Sequence, residues 1–128
     1  MANLGLLIIR LVIGLTFVGH GAQKLFGTGP TNFGEWLGSI GIKSGGKTLA
    51  ILAGLFEFVG GLLFASGVFM WFGAILIVII MLDAIFTVHG KNGYWITNGG
   101  FEYNLVLIAA VIGVALIGPG DFALLHKL

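Results

Sequence analysis

The sequence contains no cysteine, which excludes disulfides, thiolate metal ligands and thiol–disulfide chemistry within the chain. Charge is scarce: 9% of 128 residues, against roughly 25% in an average soluble domain. Six Lys and Arg against five Asp and Glu leave a net charge of +1. With no basic block among them, nucleic acid is excluded as a partner. Proline occurs only twice, at Pro30 and Pro119, so little interrupts a helix. A basic leader is also missing, and Arg10 breaks the first apolar run, so MANLGLLIIRL does not read as a signal peptide. What remains is apolar: 58% hydrophobic residues and a mean hydropathy of +1.10. Glycine counts 23, and small residues let membrane helices approach closely. This is the composition of one small membrane domain, residues 1–128.

Four segments have spanning length: 4–26, 47–67, 68–89 and 101–117. The expected fold is all-α, a four-transmembrane-helix bundle. Segments two and three are separated only by Ser66 and Gly67, which makes a tight antiparallel hairpin. Four spans put both termini on one face of the bilayer, face A, and the two longer loops on the other, face B. In the first loop Phe33, Trp36, Leu37 and Ile40 follow i, i+3, i+4, i+7, the spacing of a short amphipathic interfacial helix over 31–40. Thr31 or Asn32 is its expected N-cap. Tyr94 and Trp95 in the second loop are expected interface anchors. The tail from Pro119 is expected to lie on the surface or to fray. Lys24, Lys43, Lys47 and Lys91 fall on face B, Lys127 on face A. The positive-inside rule then places face B in the cytoplasm and the termini outside.

A charge at the centre of a span costs about 2.5–3.5 kcal/mol on insertion scales. The first span nevertheless carries Arg10, His20 and Lys24, which with Phe17 fall within roughly 80° around a helix. The second span carries Glu57 among small residues, the third Asp83, and the fourth opens with Glu102, Tyr103 and Asn104. At ~1.5 Å per residue from face A, Arg10 lies roughly 9 Å deep and Glu57 roughly 15 Å deep. His20, Asp83, Lys24, Glu102 and Asn104 lie at roughly 22–30 Å on the same scale. The expectation is an inner Arg10–Glu57 ion pair and an outer pocket lined by Phe17, His20, Lys24, Asp83 and Glu102. Trp36 and Trp95 are expected to rim it. A register-fixing ion pair, a snorkelling lysine and a satisfied buried histidine are the plainer readings of Arg10–Glu57, Lys24 and His20. His20 and His89 are offset by about two turns, which argues against haem. No metal or flavin site is evident.

Three pieces carry a resemblance. They are Arg10-x-x-x-Gly14-x-x-Phe17-x-x-His20-Gly21-x-x-Lys24, then Glu57-x-x-Gly60-Gly61, then Gly99-Gly100-Phe101-Glu102-Tyr103-Asn104. Here the chain resembles the DoxX family of four-helix bacterial membrane proteins. The resemblance implies a protein of the bacterial cytoplasmic membrane linked to redox chemistry. Related small subunits belong to thiosulfate:quinone oxidoreductase and quinol-oxidase systems, and others partner soluble oxidoreductases or sulfurtransferases. Two functions follow. In one, the polar pocket binds a quinone within an oxidoreductase system. In the other, the chain is a non-enzymatic anchor, or passes a small anion along Arg10, His20 and Lys24. The expected partners are the bilayer, a soluble oxidoreductase or sulfurtransferase, and a second copy of the chain.

Overall fold

The computed structural model describes residues 1–124. Helix α1 is Ala2–Leu25, α2 Gly29–Ser39, α3 Gly46–Ser66, α4 Met70–Ala84 and α5 Glu102–Ile117. No strand occurs among the described residues. α4 continues through a π turn at Ile85–His89 and a 3-10 turn at Gly90–Asn92, giving a 23-residue apolar rod. That rod, α1 and α3 are long and apolar enough to cross a bilayer. α5, with 16 residues, reaches about 24 Å. The all-α architecture, four apolar helices with one short helix in the first loop, is the one expected.

α1 packs along α3, α3 against α4, and α4 against α5, while α1 barely meets α5. The helices therefore follow one another in space as α1–α3–α4–α5. Their core is Leu6, Phe17, Phe64, Met70, Ile77, Val111 and neighbours. The α1–α3 contact is the closest, because glycine removes the side chains between the two backbones. A Cβ at Gly61 would stand 2.5 Å from the Gly14 carbonyl oxygen, and one at Gly21 would stand 2.6 Å from the Phe58 nitrogen. Real side chains do not fit there, so the seam sets both the spacing and the register of α1 against α3.

α2 lies across the face-B ends of α1 and α3, with Leu37 buried beneath it and Gly34 against Gly46 and Lys47. It starts earlier than the spacing suggests. Thr28 occupies the cap position and Pro30 sits inside the first turn, where a missing N–H is harmless. Asn32 donates to the Thr28 carbonyl and hydroxyl and is not the cap.

At the face-A end the tail lies on the surface over 119–124, one of its two expected forms, and is tied down by hydrogen bonds. Asn3 Nδ2 donates to Asp121 Oδ2 at 2.9 Å, and the Leu124 N–H donates to the Ser66 carbonyl at 3.0 Å. Arg10, 1% exposed, donates from Nη1 to the Ala65 carbonyl at 2.9 Å and from Nη2 to the Phe122 carbonyl at 2.7 Å. Ala65 is in the last turn of α3, where carbonyls lack helical partners and a cation is favoured. Arg10 therefore ties the α3–α4 hairpin to the tail. The expected Arg10–Glu57 pair does not form, because backbone carbonyls closer to Arg10 take its donors. Lys127 lies outside the described residues.

Two tests follow from this packing. Gly61→Val should force α1 and α3 apart and lose about 1–3 kcal/mol or more. Gly19→Ala, with open space around its Cβ, should leave the thermal midpoint in detergent unchanged or raise it. Arg10→Lys lacks the planar fork that reaches two carbonyls. It should forfeit one charge-assisted bond, about 1.5–3 kcal/mol, and speed hydrogen exchange at the Leu124 amide while leaving mid-α3 amides protected.

Candidate functional site

Lys24 is the penultimate residue of α1. Its stem packs on Gly54, where a Cβ would come within 3.0 Å of the lysine Cβ. The side chain then turns down the bundle, and Nζ donates to Glu57 Oε1. Glu57 lies eleven residues into α3, so the pair sits roughly 16 Å from the face-B start of that helix. The side chains are 18% and 5% exposed, so the pair is largely shielded from water. From α2, the Phe33 ring stands over Nζ at 4.7 Å, a cation–π contact that adds to the pairing. Glu57 Oε2 is buried and receives no hydrogen bond from any described residue.

Beside this pair opens a cavity of about 470 Å³, within the range of small-molecule sites. Its polar contributions are Lys24, Glu57, Asp83 and Thr87, and the rest of its wall is apolar. Leu49, Leu52, Ala53 and Phe56 of α3 form one side, and Ile79, Ile80, Asp83 and Ala84 of α4 the other. Phe33, Trp36 and Leu37 of α2 make the roof at the face-B end. Leu49, Leu52 and Ile79 are 43% exposed or more, on faces that a bilayer covers, so the groove between α3 and α4 opens sideways toward lipid. Thr87, in the π turn, donates from its hydroxyl to the Asp83 carbonyl at 2.8 Å. The Asp83 carboxylate lies at the rim and has no hydrogen-bond partner among the described residues.

Of the expected pocket residues, the structure brings together Lys24 and Asp83, and adds Glu57. It does not bring in the others. Phe17 is 3% exposed and belongs to the core. His20 is exposed on the outer side of α1, in a separate open depression that it shares with Lys24, Asn32, Phe33 and Trp36. Glu102 folds over its own loop and accepts the Ile96 N–H at 3.0 Å. Asn104 is buried and donates to Met81 Sδ at 3.6 Å. His89 does not face the mouth either: Nδ1 lies 2.7 Å from the Gly99 carbonyl. Trp36 reaches the rim, but Trp95 packs edge-on against Tyr94, which packs on Phe101. The second loop is thus a self-contained cap on α5. Among the described residues, no three of His, Asp and Glu cluster to hold a metal ion.

The sequence reading missed the aromatic and aliphatic wall: Phe33, Leu37, Phe56, Ile79 and Ile80. Phe33 and Leu37 were visible as the apolar face of α2. The others look like any lipid-facing residue.

Fold and site together define a small multi-pass membrane protein with a buried ion pair beside a lipid-facing pocket. The DoxX sequence profile matches residues 5–90, and the chain belongs to the DoxX family. A Bacillus subtilis (strain 168) protein named "Putative oxidoreductase CatD" is 30% identical over 122 residues, covering 95% of this chain and 85% of the relative. No solved structure matches the chain.

The pair can be tested by stability. Lys24→Met strands Glu57 and should cost about 3–5 kcal/mol. Adding Glu57→Leu should recover most of that loss, measured by unfolding in detergent. Equal losses in the single and double variants would count against a coupled pair.

Proposed function

We propose that the chain binds a quinone, or a ring ligand of similar shape and polarity, in the α3–α4 pocket as the membrane component of an oxidoreductase system. The observation that carries this reading is the join of an apolar, laterally open cavity to one buried Lys–Glu pair. A quinone-type ligand dissolves in lipid, is planar, and carries oxygens only at its edge. Phe33, Trp36 and Phe56 offer flat apolar contact, and Lys24 keeps donors beyond the one given to Glu57. The family membership and the printed name of the Bacillus subtilis relative support the oxidoreductase class.

The anion reading, which needs Arg10, His20 and Lys24 together, finds less support, because Arg10 does not join the other two. Arg10 is engaged at the opposite end of the bundle, and Lys24 is neutralised by Glu57. His20 stands outside the pocket.

Electrons are supplied by a partner in this reading, because the chain has no thiol of its own. A soluble oxidoreductase docking on face B is the partner that fits. Lys43, Lys47 and Lys91 remain there once Lys24 is assigned to the site, and they keep that face cytoplasmic in the bacterial membrane.

Organic extraction of the purified protein should release close to one quinone per chain. Ala53→Phe adds a ring to the cavity wall one turn from Glu57 and should abolish that yield with the thermal midpoint retained. Extraction of none from the parent, together with no binding of added short-chain quinone, sinks the proposal.

A further inference from the structure

The depression beside His20 is distinct from the α3–α4 cavity. It is open, about 540 Å³ in volume, and lies between the last turns of α1 and α2. Its polar lining is His20, Gln23 and Lys24 from α1, with Thr28 and Asn32 at the start of α2. Phe26, Phe33 and Trp36 supply the apolar part of the wall. The Asn32 amide donates to the Thr28 hydroxyl, which leaves the hydroxyl's own proton to donate elsewhere. The His20 and Gln23 side chains make no hydrogen bond among the described residues. Both are exposed, on a helix long and apolar enough to span a bilayer. His20 is five residues short of the face-B end of α1, roughly 8 Å below it. Polar side chains at that depth reach for the headgroup layer, and there the phosphate of a lipid is the abundant acceptor.

We infer that this depression holds the phosphate of an anionic phospholipid from the face-B leaflet. The inference goes beyond the quinone reading and does not rest on it. The lining donates from an imidazole, two amides, a hydroxyl and an ammonium, and a phosphodiester only accepts. Lys24 is the one permanently charged group on this wall, and its counter-ion Glu57 lies on the wall of the other cavity. No carboxylate lines the depression among the described residues. The ammonium of a choline or ethanolamine headgroup therefore meets no opposite charge there, whereas a glycerol headgroup adds hydroxyls and no cation. The apolar part of the wall suits a lipid and not a free phosphate. Phe26 is 62% exposed and Trp36 41% exposed, flat surfaces on which the upper acyl chains can lie.

The test uses the full chain in detergent, freed of endogenous lipid, with native mass spectrometry as the readout. The probes are dioleoyl phosphatidylglycerol, the matching phosphatidylcholine, and glycerophosphoglycerol, which is the first headgroup without its chains. The first phosphatidylglycerol should bind about tenfold tighter than phosphatidylcholine. His20→Ala with Gln23→Ala should weaken it about tenfold, the effect of two ordinary hydrogen bonds. Both residues are exposed, so the fold tolerates their loss. Lys43→Gln with Lys47→Gln removes charge beyond the far end of α2 and should keep the preference. Glycerophosphoglycerol should not displace the lipid at equal concentration. Equal binding of the two lipids, or a preference that survives His20→Ala with Gln23→Ala, overturns the inference. A preference lost only with Lys43 and Lys47 marks a general basic surface and overturns it too. Displacement by glycerophosphoglycerol assigns the depression to a free phosphodiester and overturns the lipid source. None of these outcomes bears on quinone binding between α3 and α4, whose lining the variants leave unchanged.

Discussion

The Lys24–Glu57 contact is the constraint on which the rest of the arrangement depends. A carboxylate in the middle of a membrane span is tolerable only when a cation reaches it. Lys24 is at the end of its own helix, so it reaches Glu57 only if α1 and α3 run at near-backbone contact and in one register. The seam of Gly14, Gly21 and Gly61 supplies both. With the pair in place, the lysine stem packs on Gly54 and Phe33 settles over Nζ. That in turn holds α2 as a roof. The cavity is what remains between this charged floor, the roof, and α4.

The two cations of α1 have separate work, although they lie on nearly the same helix face. Arg10 and Lys24 are fourteen residues apart, roughly 40° around the axis, and both look toward α3. At face A the α3 helix ends, and its free carbonyls are the acceptors in reach. At mid-span the backbone is saturated, and only a side chain such as Glu57 can answer a charge. The guanidinium, with its planar fork of donors, suits two carbonyls, and the single ammonium suits one carboxylate. Placing the charges by depth alone treats side chains as the only partners. Backbone carbonyls at a helix end carry no letter in the sequence, which is why an Arg10–Glu57 pair was the natural expectation and is not the one formed.

Much of the fold was legible for the same physical reasons that make membrane proteins legible at all. Long apolar runs, few breakers and a two-residue gap at Ser66–Gly67 leave little choice but four helices and a hairpin. The short helix showed itself through the spacing of Phe33, Trp36, Leu37 and Ile40. The site was half legible. Lys24, Glu57 and Asp83 were named because charge in lipid needs a reason. His20 was misplaced because it stands roughly 80° from Arg10, at the edge of the buried stripe, and the neighbouring Gly21 takes the contact with α3. Glu102 and Asn104 were placed by depth at the right level but on the wrong wall. Helix order in space is α1–α3–α4–α5, so α5 does not share a wall with α1, and depth carries no information about helix order. The apolar lining was invisible, because a leucine facing a groove and one facing lipid are the same letter.

This economy of polar groups fits a site that works from within the bilayer. Under the proposed function the membrane is the first filter, since the groove between α3 and α4 faces lipid. The walls need little further selectivity, and apolar walls provide little: a methylene more or less changes binding by about 1–3 kcal/mol. Discrimination by oxygen substituents is another matter. A buried polar group left unpaired by the wrong ligand penalises it far more, because nothing in the surroundings substitutes for the missing bond. Lys24 and Glu57 form the one ion pair on the cavity wall, whose other strong hydrogen-bonding groups are at the Asp83 and Thr87 rim. For a ring ligand entering from lipid, the same ion pair that the fold requires for stability therefore also holds most of the pocket's capacity to tell one ligand from another.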